Sequence, residues 1–376
     1  MQSSDQNEAT VKINVYHISK KVFWIILSLT LICLIVLLTL TIYFGVRSQK
    51  TTTVYVETTS SSSASTYSWN ETITSVTMST TMTPARPVEQ ISMNLKPELY
   101  HWTITPDLIQ ETFKGDLFYR FTCLESTKEL ILHMIDLNID NSTIAIVNSL
   151  SGSIPVFDTW IYDDYNQFMI MKFLSDFQPT IIYTLHTTYS ASIDRDFQGI
   201  YLSDYVDVNG VSRTFITSQM EPMYARSALP CVDEPARKAI FRIIINHDSS
   251  LVLWANSELE HEDTLDDGRM NSYFAPTLNM STYLLALIVA PKSDFGCLSG
   301  HVISSSKNIT SQVCGRKQIL PQMSYAHEVA LKVLDFFNQY FDIEYAFPKI
   351  DHFAVPDFKT GAMENYGLLI YNEIGT

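Results

Sequence analysis

Between residues 95 and 291 apolar and polar positions alternate in short runs rich in Phe, Tyr, Ile, Val and Thr, broken by Asp, Asn, Gly and Ser. The clearest runs cover 117–123, 129–135, 167–173, 180–189, 212–217, 239–246 and 283–290. Alternation of this length with recurring turn residues predicts strands, and a stretch of this size can bury its own core, so it reads as an all-β, sandwich-like domain. Over 325–341 the period changes. Val329, Ala330, Val333, Phe337, Tyr340 and Phe341 recur at three and four residues and predict an amphipathic helix with one apolar face. Pro348 breaks the pattern, 350–355 reads as a short buried strand, and Pro356 and Gly361 bracket a turn. Leu368, Leu369 and Ile370 read as a last apolar strand whose sheet partners lie past Thr376, which leaves it an uncovered edge.

Residues 22–44 carry no charge and are nearly all Ile, Leu, Val, Thr and aromatics. A run of that length can cross a hydrocarbon layer of about 30 Å as a helix, and it is too long for the apolar part of a cleaved signal peptide. It predicts a membrane anchor behind a short tail, 1–21. Lys12, Lys20 and Lys21 on one side and Arg47 and Lys50 on the other give only a slight charge bias. The acceptor tripeptides at Asn70, Asn141, Asn279 and Asn308 all follow the run and orient the bulk of the chain outward, as a single-pass type II protein of the plasma membrane. Between 51 and 83 about three residues in five are Ser or Thr, with no apolar period to offset ordering entropy, so 45–94 reads as a stalk.

A net charge of −15 argues against nucleic-acid partners, which need clustered Lys and Arg. Of five cysteines, Cys33 lies in the apolar run; Cys297 and Cys314 would close a short loop, although four outer cysteines allow three pairings. A catalytic zinc is served economically by two His four apart on a helix. His327-Glu328 starts that way but reaches Leu331, and His261-Glu262 reaches Leu265. No metal is assigned to this chain.

The segment that carries chemistry is Gly361-Ala362-Met363-Glu364-Asn365, a single carboxylate near a glycine between two apolar runs, which suits an extended peptide. It follows Phe347-Pro348-Lys349-Ile350-Asp351 and Val355-Pro356-Asp357-Phe358 and precedes Tyr366-Gly367-Leu368. An earlier block reads Gln219-Met220-Glu221-Pro222, Ala225-Arg226 and Leu229-Pro230-Cys231-Val232-Asp233-Glu234-Pro235. The ordered set resembles the N-terminal portion of membrane zinc aminopeptidases of the aminopeptidase N type, the gluzincin exopeptidases. Leu229 stands where that family usually has Phe and Tyr366 where it has Trp; both keep an apolar body.

The resemblance implies a β-rich domain, here 95–292, packed on a thermolysin-like α+β catalytic domain that would begin near 293 and be cut off at 376. It implies that Glu364 and Glu221 hold the α-ammonium of a peptide. Gln219 and Met363 would border the pocket for its first side chain, and Gly361 to Asn365 would form the binding stretch, with backbone bonds from Gly361 and Ala362. Cys231 would be a buried free thiol. Arg226, Asp233 and Glu234 read as a structural ion-pair set. In the family the His-Glu-x-x-His lies downstream of the pentapeptide. On this reading the chain ends before its zinc, general base and oxyanion donor, and no catalytic residue is assigned. Two functions stand: the front part of a zinc aminopeptidase acting on peptides with a free N-terminus, inactive alone, or a non-enzymatic membrane glycoprotein that binds peptide ends or a protein partner. Homodimer formation stays open.

Overall fold

The computed structural model describes residues 89–149, 153–304 and 307–375. The span expected at 22–44, the acceptor Asn70 and nearly all of the stalk lie outside them. Among the described residues no helix is long and apolar enough to cross a membrane.

The described residues form four sheets. The largest is built on Leu95–Asp107, which runs antiparallel to Thr112–Cys123 and parallel to Ile240–His247; Ile182–Ser192 adds to the far side of Thr112–Cys123. Alternate residues point inward, so Tyr100, Trp102 and Ile104 face the core together with Phe113, Leu117, Tyr119 and Phe121. Their rings stack, with Tyr100 centred 4.8 Å from Tyr119 and 5.0 Å from Phe241. Gly115 lies in this layer because an added Cβ would sit 2.2 Å from the ring of Tyr189. The space it leaves lets the Tyr189 hydroxyl donate to the Ala228 carbonyl at 2.8 Å.

That bond and three more seat the block at 225–235. Val232 N–H donates to the Tyr100 hydroxyl at 3.0 Å, and Cys231 exchanges backbone bonds with His133. Arg226 and Asp233, both buried, pair at 3.0 Å, while Asp233 also accepts from Thr282 at 2.6 Å. Glu234 joins a different partner, Arg237, at 3.5 Å, and accepts from Ile91 N–H. Cys231 and Cys123 are buried free thiols.

A three-stranded sheet, Thr127–His133, Phe168–Phe177 and Phe157–Asp163, and a four-stranded sheet, Leu251–Ala255, Leu287–Pro291, Ser212–Gln219 and Gly199–Val206, complete the part before residue 292. The expected strand at 283–290 is shorter than its apolar run. Thr282–Leu284 forms a 3-10 turn instead, and only Leu287–Pro291 is extended.

Beyond this lies a five-stranded mixed sheet in the order Phe295–Ile303, Asn308–Arg316, Lys349–Val355, Leu368–Asn372, Ala362–Met363. Cys297 and Cys314 stand opposite each other on its first two strands and are bonded, with S–S at 2.03 Å. One face joins the main core through Phe353, 4.8 Å from Trp254 and 5.9 Å from Phe295. The other is covered by the helix Ser324–Phe341.

Two expectations are overturned here. Leu368–Asn372 is not an uncovered edge: it lies between Lys349–Val355, parallel, and Ala362–Met363, antiparallel, and Leu368 and Ile370 are fully buried. Its partners precede it in the chain, because a crossover and a tight return supply both sides. The helix forms, but of the apolar positions that mark its period only Ala330 turns to the sheet, while Val329, Val333, Phe337, Tyr340 and Phe341 are exposed. The sheet takes the stripe His327, Ala330, Leu331 and Leu334. Gly300 decides this: a Cβ there would stand 2.9 Å from Leu331, so the helix seats where a strand lacks a side chain.

Buried imidazoles set an acid limit. Burial, aided by Arg226, pushes His133 down to about 3, and its Nδ1 accepts Asp233 N–H at 3.1 Å, a bond only the neutral ring makes. Burial, with His327 beside it, lowers His352 to about 4. A depressed imidazole stabilises the fold above its unfolded value near 6.5 and loses that contribution as pH falls toward the folded value. His101 and His247 are lowered by burial as well, so urea midpoints are expected to decline from pH 6.5 down to 4, and His352→Gln is expected to flatten part of the decline, since it removes one of these titrations. A midpoint independent of pH over that range would contradict this.

Candidate substrate-binding site

The pentapeptide is held from beneath. Lys349, buried at the start of its strand, donates from Nζ to the carbonyls of Ala255 at 2.5 Å and Gly367 at 2.9 Å and to Asp351 Oδ2 at 2.6 Å. Burial pushes the Lys349 ammonium down and the Asp351 carboxyl up, and their mutual attraction opposes both shifts. Asn256 acts alongside. Its Nδ2 donates to the carbonyls of Leu284 and Tyr366, each at 2.8 Å, and its Oδ1 accepts Ala286 N–H at 2.8 Å. Gly367 fits under this clamp with φ +72°, and a Cβ there would lie 2.0 Å from the Asn256 carbonyl oxygen.

The turn before the pentapeptide is fixed from the side. Asp357 accepts from the Ser203 hydroxyl at 2.5 Å and from Asp204 N–H at 3.3 Å, and Lys359 Nζ lies 4.2 Å from the centre of the Phe197 ring. Asn372 closes the loop by donating to the carbonyls of Phe358 and Gly361. Ala362 and Met363 then pair with Tyr371 and Ile370 and form the last strand of the sheet, with no further strand beside them among the described residues. Met363 is buried against the core, Glu364 is exposed, and Asn365 is buried with its Nδ2 unpartnered among the described residues.

Gln219 arrives by another route. It ends Ser212–Gln219 opposite Gly199 and is buried, with Oε1 unpartnered among the described residues. Glu221 follows in an exposed turn with a cis bond to Pro222. Both motif segments thus rest on one stretch of chain, 197–204: Lys359 on Phe197, Gln219 on Gly199, Asp357 on Ser203 and Asp204. The carboxylates of Glu221 and Glu364 make no hydrogen bond or ion pair with a described residue. Gly361 and Ala362 are exposed, and a Cβ on Gly361 would meet open space.

The described residues do not fit a metal. No group of three or more His, Cys, Asp or Glu is arranged to hold one, and His327 and His352, which approach each other under the helix, have no carboxylate or thiol beside them to complete a set. No step is derived through zinc. What the arrangement can do is recognise: unpaired carboxylates accept from an ammonium, and a short open edge pairs with extended backbone.

Sequence reasoning missed the supports. Asn256 sits in an unremarkable Ala-Asn-Ser stretch, and nothing local signals that it grips a turn more than a hundred residues away. Lys349 and Asp351 alternate on one face of a strand, a spacing that could have suggested a buried pair.

Gly367→Ala is expected to destabilise by about 2–4 kcal/mol through left-handed strain and collision with Asn256, whereas Gly361→Ala stays near neutral; thermal unfolding of the two compares them directly. Lys349→Met strands the Asp351 carboxyl and is expected to lose about 3–5 kcal/mol, most of it regained in Lys349→Met with Asp351→Leu. Equal stability of the single and double variants in denaturant titrations would contradict a paired role.

Known proteins resemble this chain in sequence. The Peptidase M1 N-terminal domain model matches residues 96–284, and the Peptidase family M1 domain model matches residues 325–375. Aminopeptidase N of Canis lupus familiaris is 33% identical over 297 residues, covering 76% of this chain and 30% of its own. Endoplasmic reticulum aminopeptidase 1 of Rattus norvegicus is 34% identical over 284 residues, 74% and 29% respectively, and puromycin-sensitive aminopeptidase of Caenorhabditis elegans 31% over 287, 76% and 29%. The chain therefore spans under a third of the length of these relatives. With half of its residues matched by the N-terminal domain model alone, and the pentapeptide inside the second match, the chain belongs to the M1 peptidase family.

Proposed function

We propose that this chain holds the free amino end of a peptide and forms the front of a membrane-anchored zinc metallo-aminopeptidase. The observation that carries the reading is the pair of exposed, unpaired carboxylates, Glu221 and Glu364, on two segments that rest on the same stretch of chain. Glu364 and Glu221 accept from the α-ammonium. Gln219 and Met363 border the space for the first side chain, and the two-residue edge at Ala362 and Met363 offers backbone groups to the peptide. An amide or acetylated end would leave the carboxylates without a donor, which is how an exopeptidase rejects internal bonds.

The rest of the reading follows the sequence. Residues 22–44 anchor the chain, 45–94 hold it off the bilayer, 95–292 form the β-rich domain and 293–376 begin the catalytic one. The bulk faces outward at the plasma membrane. In support, Asn141, Asn279 and Asn308 are all exposed, and Cys297 with Cys314 suits an oxidising compartment. A second reading, a glycoprotein that binds a partner without cleaving it, draws on the exposed aromatic rings of the helix Ser324–Phe341.

Peptide titrations on the full chain separate the readings. A peptide with a free N-terminus is expected to bind at least about tenfold more tightly than its acetylated form, and Glu364→Gln is expected to erase that difference. Equal affinity for both peptides would sink the amine-anchor reading and leave the partner-binding one.

A further inference from the structure

Away from the pentapeptide, a cavity of about 280 Å³ opens where the edges of three sheets meet. Its walls come from Leu251–Ala255, the chain just after it, Met270–Phe274 and the face of the mixed sheet that bears Lys349 and Asp351. It falls slightly below the about 300–1,000 Å³ of a site for a drug-sized ligand, which is metabolite size. Trp254 and Phe274, both nearly buried, give it an apolar side.

The polar side is unusual in what is left over. Ser257 is 3% exposed and lines the cavity, yet its Oγ has no partner among the described residues. A buried hydroxyl in that state is costly unless something enters to meet it. Asp351 uses Oδ2 for Lys349, and its Oδ1 takes no hydrogen bond among the described residues. Glu258, exposed at the mouth, acts on Lys349 through its charge but makes no salt bridge or side-chain hydrogen bond with a described residue. Lys349 offers nothing to a ligand, because Ala255, Gly367 and Asp351 take its three protons. With Lys349 counted as +1 and Asp351 and Glu258 as −1 each, the lining carries a net charge of −1 and presents mainly acceptors. An anion would find the neutral donors of Ser257, Thr310 and Gln312 but no cation free to meet it.

We propose that this cavity binds a small organic ammonium. The nitrogen lies between Asp351 Oδ1 and Ser257 Oγ under the field of Glu258, and the apolar body rests on Trp254 and Phe274. The site is separate from the one proposed for peptide ends and does not depend on it. Because Asp351 also holds Lys349, an occupant would touch the pair that seats the pentapeptide.

Calorimetric titration of the full chain with 2-phenylethylamine at pH 7 tests this, beside its neutral counterpart 2-phenylethanol and the anion 3-phenylpropionate. Saturable binding of the amine is expected, about tenfold tighter than the alcohol, with none of the anion. Ser257→Ala and Glu258→Gln are each expected to weaken the amine several-fold while leaving the unfolding temperature in place. Glu258 is exposed, so its variant reports even if the other is less stable. Glu364→Gln is expected to leave the amine constant where it was; loss of binding in that variant would put the amine at the peptide site and overturn this proposal. So would equal binding of amine and alcohol, wild-type affinity in both cavity variants, or no saturation at millimolar amine.

Discussion

Removal of the Lys349 ammonium from water governs the geometry of the motif region. Once inside, it must find acceptors for every proton, and it finds them on three separate pieces of chain: the end of Leu251–Ala255, its own strand and the Gly367 carbonyl. That requirement sets the position of the mixed sheet against the four-stranded one more narrowly than apolar contact would. Around Phe353 the rings of Trp254, Phe295 and Phe215 could slide; a buried cation with three short bonds cannot.

Asn256 extends the same constraint toward the surface. It uses one side-chain amide to bind both a turn in the β-rich part and the Tyr366 carbonyl, so the backbone that presents Glu364 is tied two residues further on. The exposed carboxylate is thereby carried on a stiff support, which is what charge recognition needs if it is to select geometry as well as sign. Asp357 does the equivalent for the other end of the loop, through Ser203 and Asp204.

The sequence disclosed much of this and hid a definite part. Runs such as 117–123 and 212–217 were legible because a half-buried strand imprints a two-residue period, and the motif blocks because their residues are chemically distinctive. Pairing partners were not legible, since they are set by tertiary contact: Leu368–Asn372 looked like an edge until its parallel neighbour and the short return strand were placed. The helix misled for a related reason. It is apolar on two stripes, and periodicity marks both, but only the bare backbone at Gly300 chooses which one packs. Asn256 and Ser257 left no trace at all, because their roles lie in contacts distant in sequence.

The strand at Ala362 and Met363 is two residues long, paired on one side with Tyr371 and Ile370 and open on the other among the described residues. So brief a margin has room to register a single peptide unit. On the function proposed above, a peptide laid along it would be held at its tip alone, and any preference for longer or shorter chains would then come from surfaces other than this one.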